Sequence, residues 1–333
     1  DPTCKHFGVC GGCKLQNISY DTQTKLKEDK IKHSITRIFN DAKINSIVKC
    51  DNQFFYRNKL EFSFTENKWL TEAEIKNSDD KIDRRGIGFH KAGMWEKIVD
   101  VEKCHLQNEP SNKIRLSIKQ FAIENNLSFY NTRLRKGLLR TLTIRNTSLN
   151  QFMVLVQFYE NDLKNIELIL NHLKNNFKQL SSIQFIINSK DNDSFYDQKI
   201  NLFSGTKYIE ETIGELKFKI FPKSFFQTNI KQTIKLYEVV RDLANLNGNE
   251  IVYDLYSGLG TITQFLAKKA KKIIGIESIG EAVTSARESS IYNKINNVEY
   301  EVGDMRKIFT SDFISTHGNP DVIITDPPRE GMH

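Results

Sequence analysis

The sequence predicts an α/β chain in two parts: a parallel, doubly wound sheet over 221–333, preceded by a mixed α+β region over 1–220. Three observations predict it. After 221, short apolar strands alternate with helical segments, the spacing of parallel strands joined by helices. Before 221, helical periodicity and aromatic-rich strands occur without that alternation, and 140–146 and 151–159 read as a hairpin about 147–150. The third is length: 333 residues exceed the ~100–200 of an ordinary domain, so two domains are expected.

Taken in order, 18–39 has helical periodicity, with Leu26, Ile31, Ile35 and Ile38 near one face. Strands are expected at 54–65 and 85–90, a helix at 114–125, then the hairpin. A helix at 163–175 and strands at 183–188, 207–213 and 216–221 follow. A helix over 230–246 stops at Asn247-Gly248. Strand and helix then alternate through 251–255, 262–271, 273–276, 282–293, 298–302 and 322–325. Doubly wound sheets commonly carry five or six strands, so the sheet is expected to continue past His333.

Composition narrows the function classes. Hydrophobic residues at 39% and charged residues at 27% suit a folded globular chain and argue against disorder. The longest strictly apolar run is 152–156, far short of the ~18 residues that cross a membrane. The N-terminus, Asp-Pro-Thr-Cys, has neither a basic nor an apolar region of a secretory signal. Lys plus Arg total 48 against 41 Asp plus Glu, a net +7 that is compatible with a polyanionic partner and equally with a solvated lysine surface. Five cysteines, an odd number, point away from a disulfide scaffold and towards a reducing compartment, the cytoplasm. A monomer is the expected state.

The ligand signal is Val252-Tyr253-Asp254-Leu255-Tyr256-Ser257-Gly258-Leu259-Gly260-Thr261, a strand running through a glycine turn into a helix. Glycines there let the backbone approach a ligand closely. Glu277 ends the next strand, where an acid accepts hydrogen bonds from ribose hydroxyls. The third glycine of the dinucleotide fingerprint is missing, which disfavours NAD. Gly303-Asp304 follows the third strand, the place where an acid meets an adenine amino group in S-adenosylmethionine enzymes. Asp326-Pro327-Pro328-Arg329 ends the fourth, and its prolines hold the carboxylate on a rigid, extended turn. With Asp254, Glu277, Asp304 and Asp326 in series, the order of parts reads as a methyltransferase.

Cys4-x5-Cys10-Gly11-Gly12-Cys13 places three thiols on a tight turn, with Cys104 as a fourth. Four cysteines suit an iron–sulfur cubane or zinc, and spacing alone does not separate them. Cys50 reads as a buried structural cysteine.

These residues resemble the RNA (uracil-5-)-methyltransferases, specifically the iron–sulfur branch acting on 23S rRNA. The resemblance covers nearly the whole chain. It rests on the Cys4/Cys10/Gly11/Gly12/Cys13 group, Tyr56-Arg57-Asn58-Lys59, Cys104 and Leu139-Arg140-Thr141-Leu142 in the first part. In the second it rests on Phe225-Phe226-Gln227-Thr228-Asn229, Gly258-x-Gly260 and Asp326-Pro327-Pro328-Arg329-x-Gly331.

The resemblance implies a Rossmann-like methyltransferase domain over 221–333, C-terminally incomplete, behind a domain that holds a cluster and recognises RNA. It implies that Cys4, Cys10, Cys13 and Cys104 bind a [4Fe–4S] cluster, and that Gln227, Tyr256, Glu277, Asp304 and Asp326 line an S-adenosylmethionine site. Phe225 would lie near the target base, and Arg57 and Lys59 near RNA phosphates. The rival readings are plain core for Phe225 and a solvated strand face for the two cations. Thr261 stands where many relatives carry Asn and is left out of the donor set.

The implied reaction is methylation of a uridine C5 through a cysteine adduct at C6, on a base that is flipped out or unpaired. The nucleophilic Cys and the base Glu are expected beyond His333, so no catalytic residue is assigned and these 333 residues alone are expected not to methylate RNA. A methyltransferase of the tRNA T-loop uracil and a non-catalytic RNA-binding protein keeping the cluster are the alternatives.

Overall fold

The computed structural model describes residues 1–76, 82–329 and 331–332. Its contacts divide the chain into two compact units, Asp1–Asn146 with Phe152–Lys207, and Thr147–Gln151 with Tyr208–His333.

The first unit opens with α1 (Tyr20–Thr36), started by Ser19, whose hydroxyl accepts the Thr22 N–H at 3.2 Å. The expected apolar face does not become core. Leu26 and Ile31 are each 53% exposed, and Thr24 is the helix's buried residue. Periodicity marks a face; burial also needs an element to cover it. There follow β1 (Lys59–Thr65), α2 (Glu72–Lys76), β2 (Gly86–Lys91), β3 (Met94–Asp100), α3 (Ser111–Glu124), β4 (Leu139–Asn146), β5 (Phe152–Phe158), α4 (Leu163–Asn176), β6 (Leu180–Ile187) and β7 (Asn201–Gly205).

These strands form one sheet in the order β3-β2-β1-β4-β5-β6-β7. Pairing is antiparallel except between β5 and β6, which α4 connects as a parallel crossover. β1 alternates, burying Leu60, Phe62 and Phe64, whereas β5, an interior strand, is buried at every position. Ile114, Ile118 and Ala122 of α3 and Ile166, Ile169, Leu170 and Leu173 of α4 join that core. The two strands that the sequence reading omits, β3 and β7, are the sheet's edges. Half-exposed edges need no strict alternation, and Met94 and Trp95 of β3 face solvent. The strand expected over 54–65 begins only at Lys59, because Phe55 sits at φ 54° and breaks the extended backbone.

In the second unit a hairpin, β8 (Ile209–Ile213) and β9 (Leu216–Ile220), leads to α5 (Ile230–Ala244), β10 (Ile251–Leu255), α6 (Thr261–Leu266), β11 (Lys272–Glu277), α7 (Gly280–Tyr292), β12 (Val298–Val302), α8 (Met305–Ile308), α9 (Ser311–His317) and β13 (Val322–Thr325). The short α8 and α9 have no counterpart in the sequence reading. The unit begins at Tyr208 rather than at 221, so the hairpin groups with it. It also takes in Thr147–Gln151, where the buried Glu211 carboxylate accepts the Ser148 N–H and Gln151 Oε1 accepts the Glu210 N–H at 2.8 Å.

Four strands run parallel in the order β12-β11-β10-β13. Tyr253, Leu255, Ile274 and Ile276 pack on Phe313 of α9, while Val283 and Ala286 of α7 pack on Tyr300 of β12. The sheet is therefore covered by helices on both faces, as the alternation predicts. Strand order reverses at β10, with β11 on one side and β13 on the other. Ligands of open α/β sheets bind outside the strand ends at that point. No helix among the described residues is long and apolar enough to cross a membrane.

Candidate active site

An open cleft of about 450 Å³ lies at this reversal. Tyr256, Ser257, Gly258, Leu259, Thr261 and Ile262 line it from the turn after β10 and the start of α6, and Asp326 lines it from the end of β13. The opposite wall holds Phe225, Phe226 and Gln227, with Thr233 and Tyr237 of α5. Gln227, Tyr256, Asp326 and Phe225 are thus brought together as the sequence suggests. Phe225 is 75% exposed, which disposes of the core reading.

The turn after β10 is tightly held. The Ser257 N–H donates to the Ile276 carbonyl at 3.0 Å and the Gly260 N–H to the Ser257 carbonyl at 2.8 Å. Tyr256 at φ 63° and Gly260 at φ 70° are left-handed, and a Cβ on Gly260 would run into the Tyr300 ring. Glu277 braces the loop: its Oε2 accepts the Gly258 N–H at 3.0 Å, and its Oε1 accepts the Ile279 N–H at 2.9 Å and the Ser278 hydroxyl at 3.1 Å. Glu277 and Asp304 do not line the cleft itself. They stand at the neighbouring strand ends, where the Gly303 N–H donates to the Glu277 carbonyl at 3.0 Å. The backbone N–H of Arg306, more than its side chain, holds the Asp304 carboxyl below the usual range.

Behind the loop, Asp254 is 1% exposed and accepts the Thr263 hydroxyl at 2.5 Å. Burial pushes its carboxyl up to about 7; the Thr263 hydrogen bonds offset part of the rise, and Asp326 and Glu277 add to it. Its Oδ1 and the hydroxyl of Ser257 are buried without a hydrogen-bond partner among the described residues. The Tyr237 hydroxyl pairs with Thr261 Oγ1 at 2.6 Å, and burial pushes it up to about 12.

In the first unit Cys104 is buried and Cys4, Cys10 and Cys13 are half-buried. Among the described residues no group of three or more His, Cys, Asp or Glu side chains converges as a metal site, so the expected four-cysteine ligand set is not formed as such. Cys10 and Cys104 nonetheless lie within electrostatic reach of other thiols. Burial pushes Cys104 up to about 11, and Cys13 and Cys10 add to the rise; Cys10 is raised by burial and then by Cys13 and Cys4. Cys50, expected to be buried, is half-exposed, and its thiol donates to the Asn52 carbonyl at 3.0 Å.

Arg57 and Lys59 are not a freely solvated face. The Arg57 Nε–H donates to the Lys59 carbonyl at 3.4 Å, and the Lys59 ammonium lies 3.7 Å from Glu61. Burial, then the adjacent Arg145, lowers the Lys59 pKa.

No family model matches the chain. It is 43% identical to an uncharacterized RNA methyltransferase of Porphyromonas gingivalis over its whole length and 73% of that protein. A second uncharacterized RNA methyltransferase, from Bacteroides thetaiotaomicron, is 41% identical over the whole chain and 74% of its own length. The crystal structure of Pyrococcus abyssi tRNA (uracil-54, C5)-methyltransferase in complex with S-adenosyl-L-homocysteine superposes with a TM-score of 0.75 at 28% identity, covering 98% of this chain and 72% of that one. The chain belongs to the RNA (uracil-5-)-methyltransferase family.

In this methyltransferase the sequence reading missed much of the cleft's wall. Thr261, set aside there, lines the cleft and pairs with Tyr237. Thr233 and Tyr237 carry no motif; helical spacing four residues apart places both on the face of α5 that is buried. That spacing was visible in the sequence, but what the face would cover was not.

Proposed function

We propose that this methyltransferase methylates C5 of a uridine in RNA with S-adenosylmethionine as donor, 23S rRNA being the target class. The observation that carries the reading is the cleft at the strand-order reversal, with Tyr256, Gln227 and Asp326 on its walls and Glu277 bracing its glycine loop. The site fits a cationic donor. Asp326 and Glu277 lie within electrostatic reach of the Asp254 carboxyl, and the orphaned Ser257 hydroxyl on the cleft wall is a polar group that a ligand can satisfy. When bound, the donor supplies an electrophilic methyl group. Gln227 and Tyr256 orient it, Glu277 accepts from its ribose and Asp304 from its adenine. Phe225, exposed at the cleft, packs on the target base.

Uracil C5 is a weak nucleophile, so the reaction proceeds through a thiolate added at C6; after transfer a base removes the C5 proton and the C6–S bond breaks, which restores the C5–C6 double bond and releases the thiolate. All five cysteines precede residue 105, so that thiolate is not among 208–333. Arg57 and Lys59 face the phosphate backbone.

A [4Fe–4S] cluster on Cys4, Cys10, Cys13 and Cys104 is the finer part of the proposal. Two features support it: the influence of neighbouring thiols on Cys10 and Cys104, and hydrogen bonds to sulfur from the backbone of Gly12 at Cys10 and of Leu106 at Cys104. No step of methyl transfer is assigned to the cluster.

The test is mapping of 5-methyluridine in the RNA of a deletion strain, with methylation of unmodified RNA by the whole gene product. Loss of one 23S rRNA site, restored in vitro, is expected. The name of the superposed Pyrococcus abyssi enzyme favours a second reading, tRNA uracil 54, which the same map distinguishes. An unchanged map in both RNAs overturns the enzymatic reading.

A further inference from the structure

The residues just before β1 look like strand in sequence and are built otherwise. Phe55 is held at φ 54°, in the region that favours glycine. Its N–H donates to the His105 carbonyl at 2.8 Å, and the Arg57 N–H donates to the Leu106 carbonyl at 2.8 Å, so the backbone is pinned on both sides of the bend. The result is an aromatic ring turned outward, 39% exposed. The His105 ring lies 6.0 Å from it at an interplanar angle of 56°, and Phe54 meets His105 edge-on at 6.2 Å.

Single exposed aromatics are common on protein surfaces. A bulky side chain presented by a pinned, left-handed backbone is not. Its surroundings are cationic: Arg57 lies within electrostatic reach of Tyr56, and Lys103 within reach of His105. The stretches 54–59 and 103–106 carry Arg57, Lys59 and Lys103 and no acidic residue. Aromatic faces among cations suit a chain that alternates bases with phosphates.

We propose that Phe55 and His105 form a stacking site for an unpaired RNA nucleotide, with Arg57 and Lys103 taking the flanking phosphates. The inference rests on the RNA-methyltransferase reading and adds to it a base-binding position within the first unit. The site grips by π-face and charge, so it accepts any base and selects unpaired over duplex RNA.

The experiment measures binding by fluorescence anisotropy of a labelled, unpaired RNA of about 12 nucleotides and of the same sequence in a duplex. The whole gene product is compared with Phe55→Gly and His105→Ala. Glycine adopts positive φ freely, so Phe55→Gly keeps the bend and removes only the ring. Its melting temperature is expected to be unchanged or higher. Its affinity for unpaired RNA is expected to fall roughly five- to a hundredfold, the effect of losing one stacked base. Duplex binding and donor affinity should stay as in the wild type, and His105→Ala should lose unpaired RNA to a smaller degree. Wild-type affinity of Phe55→Gly for unpaired RNA overturns the inference and leaves the ring to a protein partner. Equal losses on unpaired and duplex RNA overturn it too, as general damage to an electrostatic surface. If the wild type binds the donor yet neither RNA, the RNA reading falls and takes the inference with it.

Discussion

Two carboxyl groups on adjacent strands do different work. Glu277 is ringed by donors, the Gly258 and Ile279 N–H groups and the Ser278 hydroxyl, and it holds the glycine loop in shape. A hydrogen bond to a charged group contributes about 1.5–3 kcal/mol, so Glu277→Ala is expected to weaken donor binding roughly tenfold to a hundredfold by calorimetry. An unchanged affinity would move the donor elsewhere. Asp254 is the opposite case, buried with its pKa raised to about 7. An unfolded Asp titrates near ~4, so the folded state binds this proton more tightly. Its contribution favours folding below that value and is lost as pH rises towards about 7. The stability of the wild type relative to Asp254→Asn, measured by urea unfolding, should therefore fall between these pH values and then level off. A flat difference would show that the carboxyl is not held in its neutral form.

At the scale of elements, the turn between β10 and α6 tolerates little change. Gly260→Ala meets two costs at once, a left-handed φ of 70° and the ring of Tyr300. The backbone alone costs about 1–3 kcal/mol, and the contact adds to it. A lowered melting temperature with donor binding lost is the expected outcome, and normal donor affinity would contradict it. Helices α1 and α4 make a useful contrast because both look amphipathic. Ile31 of α1 is 53% exposed, so Ile31→Gln should change stability by no more than about 0.5 kcal/mol. Leu170 of α4 is fully buried in the main core, and Leu170→Ala should cost about 2–5 kcal/mol. Chemical denaturation of the two variants separates a covered helix face from an uncovered one.

For the whole molecule the outstanding question is the four cysteines, which come from the N-terminal turn and from the segment after β3. Anaerobic purification followed by iron and sulfide analysis is expected to find a cluster. Cys13→Ser should abolish it, and Cys50→Ser, whose thiol turns to the Asn52 carbonyl, should retain it. Stoichiometric zinc without iron would replace the cluster by a tetrahedral zinc site. Losing the metal should also lower stability, because ligand binding that is coupled to folding contributes directly to it.

The doubly wound sheet was legible in the sequence because its signals are local. Buried parallel strands read as short apolar runs, and Gly258, Gly260 and the Asp326-Pro327-Pro328 stop punctuate them. For the same reason Gln227, Tyr256 and Asp326 could be placed at the cleft, each within a few residues of a strand or helix end. Other features depend on what lies across from a residue, which no local pattern encodes. The edge strands β3 and β7, the uncovered face of α1 and the arrival of Thr233 and Tyr237 at the cleft are of this kind. So is the bend at Phe55, which hydrogen bonds to residues fifty positions away hold against its own extended preference. Asp254 marks the limit most sharply. Its position at a strand end could be read from the chain, but its pKa near 7 comes from desolvation by everything packed around it, and only the tertiary structure supplies that.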